Sequence, residues 1–231
     1  MVKQVIKPIA YKVFMTKSII DREEKNTYNP DKAHEEMRKQ PMKKIHFSQG
    51  AWQQNELQKA YSFRFTETPP IRQKEDCIAS DPNPEHREGF DNISFLTKET
   101  YGVGAKATLR CAFEGLGCPE IILVEKPEVC PDGEVRYGAC FEVVLYKHGV
   151  NVWRHYMDED HKCWWHKRVG VKIPVAEEEI HTLQVEIQEN NLVFSVDGWE
   201  TSLRTEDLFE KFHFGLTMCE GLARAYEFSV R

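Results

Sequence analysis

The sequence predicts an all-β protein, a sandwich or barrel of antiparallel strands with few helices. Two observations support this prediction. From Phe47 onward, short segments of alternating apolar and polar residues recur at intervals of about 8 to 12 residues, with Gly, Pro and Asp between them. Segments with helical periodicity are few, and there is no internal repeat or low-complexity tract.

Length, composition and charge narrow the class further. A chain of 231 residues suits one large β-domain, or one domain with an appendage. Hydrophobic residues make up 41% and charged residues 29%, which supports a packed core. The net charge of -6, without a long basic run, argues against a nucleic-acid partner, because phosphate binding depends on clustered Lys and Arg. No stretch approaches the roughly 20 apolar residues that span a bilayer, so we expect no membrane partner.

The N-terminal segment and the cysteines favour a cytoplasmic location. Lysines and Pro8 interrupt the first 20 residues, which therefore lack the apolar core of a signal peptide. The seven cysteines are odd in number, and no pair has C-x-x-C spacing. We expect buried, reduced thiols and no disulfide.

The first 46 residues are predicted to form an arm packed on a main domain over 47–231. "KQVIKPIAYKVFM" has the composition of a strand. "NPDKAHEEMRKQP" predicts a short helix with Asn29 as N-cap, Pro30 at its first position and Pro41 at its end.

Strands and turns then alternate through the main domain. "AYSFRFTE", "ISFLTK", "GAKATLRCAF" and "EIILVEK" are predicted strands, and "PPIRQKEDCIASDPNPEHREGFDN" is a polar loop. In "HTLQVEIQENNLVFSVDGWETSL", two strands with apolar faces flank a Glu-Asn-Asn turn. Their apolar residues are Leu183, Val185 and Ile187, then Leu192, Phe194 and Val196. "TEDLFEKF" predicts a short helix before the closing strands "HFGLTMCEG" and "AYEFSVR".

Three of these segments resemble the concanavalin A-like lectin/glucanase superfamily. "HTLQVEIQENNLVFSVDGWE" is similar to its hairpin with a Val-Asp-Gly turn, "YGACFEVVLY" and "NVWRHY" to the adjoining strands, and "FHFGLTMCEG" to the closing strands. The resemblance covers about residues 47–231. It implies a two-sheet antiparallel jelly-roll β-sandwich whose concave sheet often binds carbohydrate.

The segment "ACFEVVLYKHGVNVWRHY" is predicted to be a β-hairpin that turns at Lys147–Gly149. Side chains alternate across a strand, which sorts them into two faces. On the first strand the predicted core face holds Phe141, Val143 and Leu145, and the other face holds Cys140, Glu142, Val144 and Tyr146. On the return strand Asn151, Trp153 and His155 share one face, opposite Val152, Arg154 and Tyr156.

This hairpin and the following segment, "MDEDHKCWWHKR", supply the candidate site. Aromatic rings stack on the apolar face of a pyranose, and charged or amide groups bind its hydroxyls. The candidate substrate-binding residues are Trp153, Tyr146, Arg154, Trp164, Trp165 and His166. Trp164 and Trp165 are neighbours, so only one of them can face inward. Three alternatives need no ligand. The polar face of the hairpin could simply be solvated, Trp153 could belong to the core, and the exposed tryptophan could cover a sheet edge or form a homodimer contact.

Metal binding is not expected. The acidic triplet Asp158–Asp160 could bind calcium through carboxylates, but a full oxygen set is not evident nearby. His161, Cys163 and His166 have zinc-binding side chains, yet their spacing matches no common zinc site. We therefore expect no metal and no cofactor.

Two functions follow from these observations, a carbohydrate- or glycoside-binding protein and a glycan-cleaving hydrolase or lyase. Laminarinase-like relatives carry E-x-D-x-x-E on one strand, whereas Val144 stands here where the second acid belongs. The "Q-I-H" strand of alginate-lyase-like relatives is matched only loosely, by "EIH" at 179–181. If the protein is an enzyme, the catalytic candidates are Glu142 and, as its partner, His155, whose imidazole titrates near neutrality.

Overall fold

The computed structural model describes residues 42–49, 56–64, 71–80 and 93–231, and these form strands and turns without a helix. The prediction of an all-β fold is confirmed. The predicted helix after Asn29 and the strand before it lie outside the described residues. In the described part no helix is long and apolar enough to cross a membrane.

The described residues contain fifteen strands. In chain order they are β1 (Lys43–His46), β2 (Leu57–Ser62), β3 (Ile71–Gln73), β4 (Ile78–Ser80), β5 (Ile93–Thr97), β6 (Lys106–Val124), β7 (Glu128–Val129), β8 (Val135–Tyr137), β9 (Cys140–Tyr146), β10 (Gly149–Met157), β11 (Cys163–Lys172), β12 (His181–Gln188), β13 (Asn191–Val196), β14 (Trp199–Arg204) and β15 (His213–Val230).

Two long strands, β6 and β15, belong to both layers of the sandwich. They pair antiparallel from Val124 and His213 at one end to Ala107 and Val230 at the other. The second half of β6 and the first half of β15 lie in the first sheet, in the order β11-β10-β9-β6-β15-β5-β2-β8-β7. Their remaining halves lie in the second sheet, where β12, β13 and β14 extend from β6, and β1 and the β3–β4 pair flank β15.

Glycines permit the transition of β6 and β15 between the two sheets. A Cβ on Gly117 would lie 2.0 Å from the carbonyl oxygen of Leu222, and a Cβ on Gly221 would lie 2.4 Å from the Gly117 nitrogen. The backbones can approach this closely only without side chains. The sequence predicted two strands here, "GAKATLRCAF" and "EIILVEK". Both segments are strand in the structure, but they belong to the single strand β6, because the glycines let it bend and continue.

The main core lies between the two sheets. The second sheet contributes the predicted apolar residues of β12 and β13, all buried: Leu183, Val185, Ile187, Leu192, Phe194 and Val196. The first sheet contributes Phe141, Val143 and Leu145 of β9, which confirms the predicted core face of that strand.

The turn between β13 and β14 fixes the register of the second sheet. Asp197 and Gly198 have φ values of 49° and 89°, the left-handed conformation of a two-residue hairpin turn. The Asp197 carboxylate also accepts hydrogen bonds from the backbone N–H of Thr182, at 2.8 Å, and from Nδ1 of His181, at 2.6 Å. One side chain therefore ties the turn to β12.

The structure also departs from the sequence prediction elsewhere. The segment predicted as a polar loop contains the paired strands β3 and β4. "TEDLFEKF" forms no helix: Phe209 and Phe212 are both buried, and the Phe212 backbone exchanges hydrogen bonds with Tyr101. Burial of two aromatic rings against the core outweighs a weak local helix preference. The sheets are also not wholly antiparallel, because β2 and β8 pair in parallel.

Candidate functional site

A cleft of about 240 Å³ opens on the outer face of the first sheet. Its walls come from the hairpin β9–β10, with Glu142, Val144 and Tyr146 on one strand and Asn151, Trp153 and His155 on the other. In the strand register Trp153 pairs with Glu142, and Asn151 pairs with Val144. The face predicted to be open is therefore the face that lines the cleft, and Trp153 is not a core residue.

Glu142 and His155 form the central polar contact of the cleft. Nε2 of His155 lies 2.7 Å from Oε2 of Glu142, and Nδ1 of His155 lies 3.3 Å from Nη1 of Arg64. A guanidinium can only donate, so Nδ1 accepts and Nε2 carries the hydrogen that is donated to Glu142. This network holds the imidazole in one tautomer and one orientation.

The charge of Glu142 is stabilised by the same network. Burial acts to raise the pKa of this carboxyl group, but its interaction and hydrogen bond with His155 outweigh this effect, and Arg64 lowers the pKa further. The pKa of Glu142 is therefore lowered below its ordinary value. The carboxylate remains ionised at neutral pH.

Aromatic rings surround this pair. The Arg64 guanidinium lies 3.9 Å from the centre of the Trp165 ring, and His155 stacks on the same ring at 6.3 Å. Trp165 is 46% exposed and lines the cleft. Nζ of Lys167 lies 5.8 Å from the ring centre of Trp153. A cationic side chain therefore lies near the ring of each tryptophan in the cleft.

Three residues predicted to bind substrate lie away from the cleft. Trp164 faces the side opposite Trp165, as expected for neighbours on a strand, and stacks on Tyr156 at 6.0 Å. His166 also packs against Tyr156. The Arg154 guanidinium lies 5.0 Å from the Phe141 ring, on the core side of the sheet. The cleft therefore gathers Glu142, His155, Trp153, Tyr146 and Trp165 and leaves out Arg154, Trp164 and His166.

The floor of the cleft contains a second carboxyl group, Glu120 of β6, which sequence reasoning missed. Glu120 is 2% exposed. Its Oε1 accepts a hydrogen bond from Sγ of Cys219 at 2.7 Å, and its Oε2 has no hydrogen-bond partner among the described residues. Desolvation, followed by the negative charge of Glu142, raises the pKa of Glu120 well above its ordinary value. The sequence signal for this residue was its position at the start of the apolar run "EIILV", which is typical of a strand buried on both faces.

The two glutamates are diagonal neighbours on adjacent strands. Glu120 pairs with Val144, which is two positions beyond Glu142 on β9. Side chains in this relation lie on the same face, with Cα atoms about 7 to 8 Å apart. One face thus carries an ionised and a neutral carboxyl group, which is the arrangement that separates acid and base roles in many enzymes.

A third carboxyl group, Glu220 of β15, completes the floor. Its φ is 62°, in the left-handed region that non-glycine residues seldom adopt, beside an irregularity in the β6–β15 register. Burial raises the pKa of Glu220. Cys118 lies between the carboxyl groups and contacts Oε2 of Glu220 at 3.8 Å. Bulges that redirect side chains are frequent beside functional sites.

Cys140, Glu142 and His155 together present three metal-ligating atoms within 4.8 Å of one another. The donors do not fit a metal ion well. Nε2 of His155 carries hydrogen in the network described above, and the Arg64 cation lies beside it. Burial raises the pKa of Cys140 well above its ordinary value, which keeps the group a thiol, and metals bind the thiolate. The contacts favour a hydrogen-bonded cluster.

The acidic loop after β10 uses its first carboxylate internally. Oδ1 of Asp158 accepts the backbone N–H groups of Asp160, at 3.1 Å, and Lys162, at 2.9 Å. His161 within this loop has a φ of 58° and stacks on Phe63 at 4.2 Å. Asp158 therefore closes a turn that leads into β11 and Trp165.

All seven cysteines have free thiols in the structure.

Comparison with known proteins gives information on the fold. No protein-family model and no curated protein sequence matches the chain. A carbohydrate-binding module, CBM66 from Bacillus subtilis, is similar over 69% of this chain and 89% of its own, with a TM-score of 0.50 and 10% identity. The fold of the chain is a jelly-roll β-sandwich.

Two further solved structures agree with this assignment. β-Agarase A, solved in complex with oligoagarose, is similar over 82% of this chain and 92% of its own, with a TM-score of 0.53 and 8% identity. A Bacillus subtilis protein of unknown function with a galectin-like fold is similar over 82% of this chain and 94% of its own, with a TM-score of 0.52 and 9% identity. The predicted jelly roll is thereby confirmed.

Proposed function

We propose that the cleft on the first sheet binds a carbohydrate. The main support for this proposal is that three aromatic side chains lie beside polar groups that can accept further hydrogen bonds. Tyr146, Trp153 and Trp165 line one cleft together with Glu142 and Asn151. Oδ1 of Asn151 is buried, and no residue in the described part of the chain forms a hydrogen bond with it. A hydroxyl-rich ligand would satisfy such groups, which are costly to leave unpaired.

The dimensions and the neighbours support a saccharide ligand. A volume of about 240 Å³ suits one or two sugar units more than a long unbranched chain. CBM66 is a carbohydrate-binding module, and β-agarase A was solved with oligoagarose. Both proteins have the fold of this chain, although identities of 10% and 8% carry no information about which sugar binds.

A binding screen against oligosaccharides tests the proposal. Trp165→Ala and Trp153→Ala should each weaken the binding of a hit by about 1 kcal/mol or more, a roughly fivefold rise in Kd, because stacked aromatic contacts are lost. Trp164→Ala is the matched control: Trp164 is similarly exposed, at 41%, and lies on the opposite face of the same strand. The proposal fails if no saccharide binds, or if the control weakens binding as much as the cleft variants do.

Glycan cleavage is a second candidate function, favoured by the opposite pKa shifts of Glu120 and Glu142. Glycosidases use two carboxyl groups, one protonated and one ionised, on either side of the scissile bond. Glu142 would act as nucleophile or base, with His155 orienting it, and Glu120 would donate a proton. Because Glu120 lies at the floor, only a substrate that reaches the floor would meet this acid.

Product analysis of the same oligosaccharide mixtures tests the second candidate. Glu142→Gln and Glu120→Gln should each abolish turnover while saccharide binding persists, since Gln keeps the shape and removes the acid–base function. Binding without any product would leave the protein as a carbohydrate-binding module. Full turnover in both variants would place catalysis elsewhere.

A further inference from the structure

A second, basic hollow adjoins the cleft at the closed end of the β9–β10 hairpin. It is lined by Tyr146, Lys147, His148, Lys172, Ile173 and Pro174, and its volume is about 530 Å³. Tyr146 lines both the hollow and the cleft. A ligand bound over the tyrosine ring can therefore reach both surfaces.

The charge of the hollow is opposite to that of the cleft. Two lysines and a histidine line it, and no carboxylate from the described ranges of the chain does. Neither Lys147 nor Lys172 forms a salt bridge with a described residue, so both ammonium groups are available to a ligand. The whole chain carries a net charge of -6, which makes this cationic surface a local exception. The cleft, in contrast, contains the ionised Glu142.

The backbone around the hollow is held in place. Gly149 has a φ of 131°, and a Cβ at this position would lie 2.1 Å from the carbonyl oxygen of Val171. The backbone N–H of Ile173 donates to the carbonyl oxygen of His148 at 3.3 Å. His148 in turn packs edge-on against Tyr146 at 5.8 Å. The hairpin turn and the end of β11, which carry the two lysines, are thus fixed relative to each other.

We propose that the saccharide of the cleft carries an anionic substituent, which the basic hollow binds. This inference rests on the proposed carbohydrate function and adds the ligand's charge. The sugar ring lies against Tyr146 and Trp153, and a sulfate, phosphate or carboxylate group on it extends past Tyr146 to Lys147 and Lys172. The negative Glu142 opposes an anion at the other end of the cleft, so the two surfaces together fix the direction of the ligand.

Titration calorimetry with matched oligosaccharides tests this inference. The probes are neutral gluco- and galacto-oligosaccharides and the same backbones with a sulfate, phosphate or carboxylate on the primary hydroxyl carbon. At low ionic strength we expect the best anionic form to bind about five- to tenfold more tightly than its neutral counterpart, because it gains two exposed ion pairs. Added salt should reduce this advantage.

Variants that remove lysine charges show whether the hollow causes the preference for the anionic saccharide. Lys147→Gln combined with Lys172→Gln should abolish the preference for the anionic form and leave the affinity for the neutral form unchanged. Lys98→Gln combined with Lys211→Gln removes the same two charges at positions that line neither surface and should keep the preference. Trp153→Ala should weaken both forms alike.

Each remaining outcome contradicts one specific claim. Equal binding of neutral and anionic forms by the wild-type protein would overturn the inference and leave the proposed carbohydrate function standing. Inorganic sulfate that binds through the two lysines, without any gain for the sulfated sugar, would make the hollow a separate anion site and would also overturn it. If no saccharide of either kind binds, the proposed function itself fails.

Discussion

Sγ of Cys219 donates its hydrogen to Oε1 of Glu120, at 2.7 Å, across the two long strands that form the floor of the cleft. Because the thiol donates to Oε1, the proton of the neutral carboxyl group belongs on Oε2, which no other described residue contacts through a hydrogen bond. Burial and the charge of Glu142 raise the pKa of Glu120. The floor of the cleft therefore holds a neutral acid at a pH where free glutamate is ionised.

The first prediction concerns this acid and the pH dependence of stability. The folded-state pKa of Glu120 lies above the ordinary value of 4.5, so its contribution to stability is complete below about pH 4.5 and is lost as pH rises toward the folded-state pKa. Glu120→Gln removes this dependence. Relative to the variant, the wild-type protein should lose up to about 1.4 kcal/mol per pH unit above pH 4.5. Urea denaturation at several pH values measures this, and parallel curves for the two proteins would contradict it.

The second prediction concerns Glu142, whose contribution to stability changes with pH in the opposite direction. The pKa of Glu142 is lowered, so this group contributes stability above pH 4.5, which is lost as pH falls through its folded-state pKa. Glu142→Gln should cost about 1 to 2 kcal/mol at pH 7, from the loss of a charge-assisted hydrogen bond to His155, and less at pH 3. The control is Glu134→Gln, which breaks the half-exposed ion pair with Arg136 and should cost no more than about 0.5 kcal/mol. An equal cost at both pH values would argue against the ionised state of Glu142.

The third prediction concerns the turn that joins β9 to β10. Gly149→Ala should destabilise the protein by about 2 kcal/mol or more, because φ is 131° and the new Cβ would collide with the Val171 carbonyl oxygen. Gly133→Ala is the matched control, since Gly133 also has a positive φ, 83°, but nothing lies within 4 Å of its Cβ position. Thermal denaturation of both variants separates the steric cost from the conformational cost. Similar losses in the two would show that the contact with Val171 relaxes.

The fourth prediction concerns Asp197. Asp197→Ala should cost about 2 kcal/mol, because it removes the hydrogen bonds to Thr182 and His181 and places Ala in a left-handed conformation. Asp197→Asn keeps one acceptor oxygen and tolerates the same φ, so it should cost less than half as much. Guanidinium denaturation compares them. Equal costs would mean that the second carboxylate oxygen, not the backbone conformation, controls the turn.

Side chains along a strand point alternately to its two faces, and this rule predicted much of the site correctly because it acts within a single strand. It placed Glu142 and Tyr146 on the face opposite Phe141, and it grouped Trp153 with His155. Alternation also required the two adjacent tryptophans to point to opposite sides. It could not show which one faces the cleft, because that depends on the register of β11 against β10.

Contacts between distant strands were beyond the reach of the sequence. Glu120 meets Glu142 only through the pairing of β6 with β9, and Arg64 reaches His155 across 91 positions. The local helix preference of "TEDLFEKF" gave the wrong structure for a related reason, since the burial of Phe209 and Phe212 is set by the rest of the fold. The fold class followed from patterns repeated along the chain, whereas the chemistry of the cleft followed from three-dimensional neighbours.

The shared long strands also determine when the cleft can form. Glu120 and Cys219 are 99 positions apart, and the strand that supplies Cys219 and Glu220 follows all the other strands of the described residues. On the ribosome, the hairpin β9–β10 with its tryptophan and histidine is complete long before β15 is synthesised. Until then β6 lacks β15 as its partner, and the floor of the cleft contains Glu120 without Cys219 and Glu220. Pairing at this separation closes a long loop, which slows the folding of β-sandwiches. The cleft is therefore complete only when β15 pairs with β6, and a chain that ends before β15 would carry the walls of the cleft with only the β6 part of its floor.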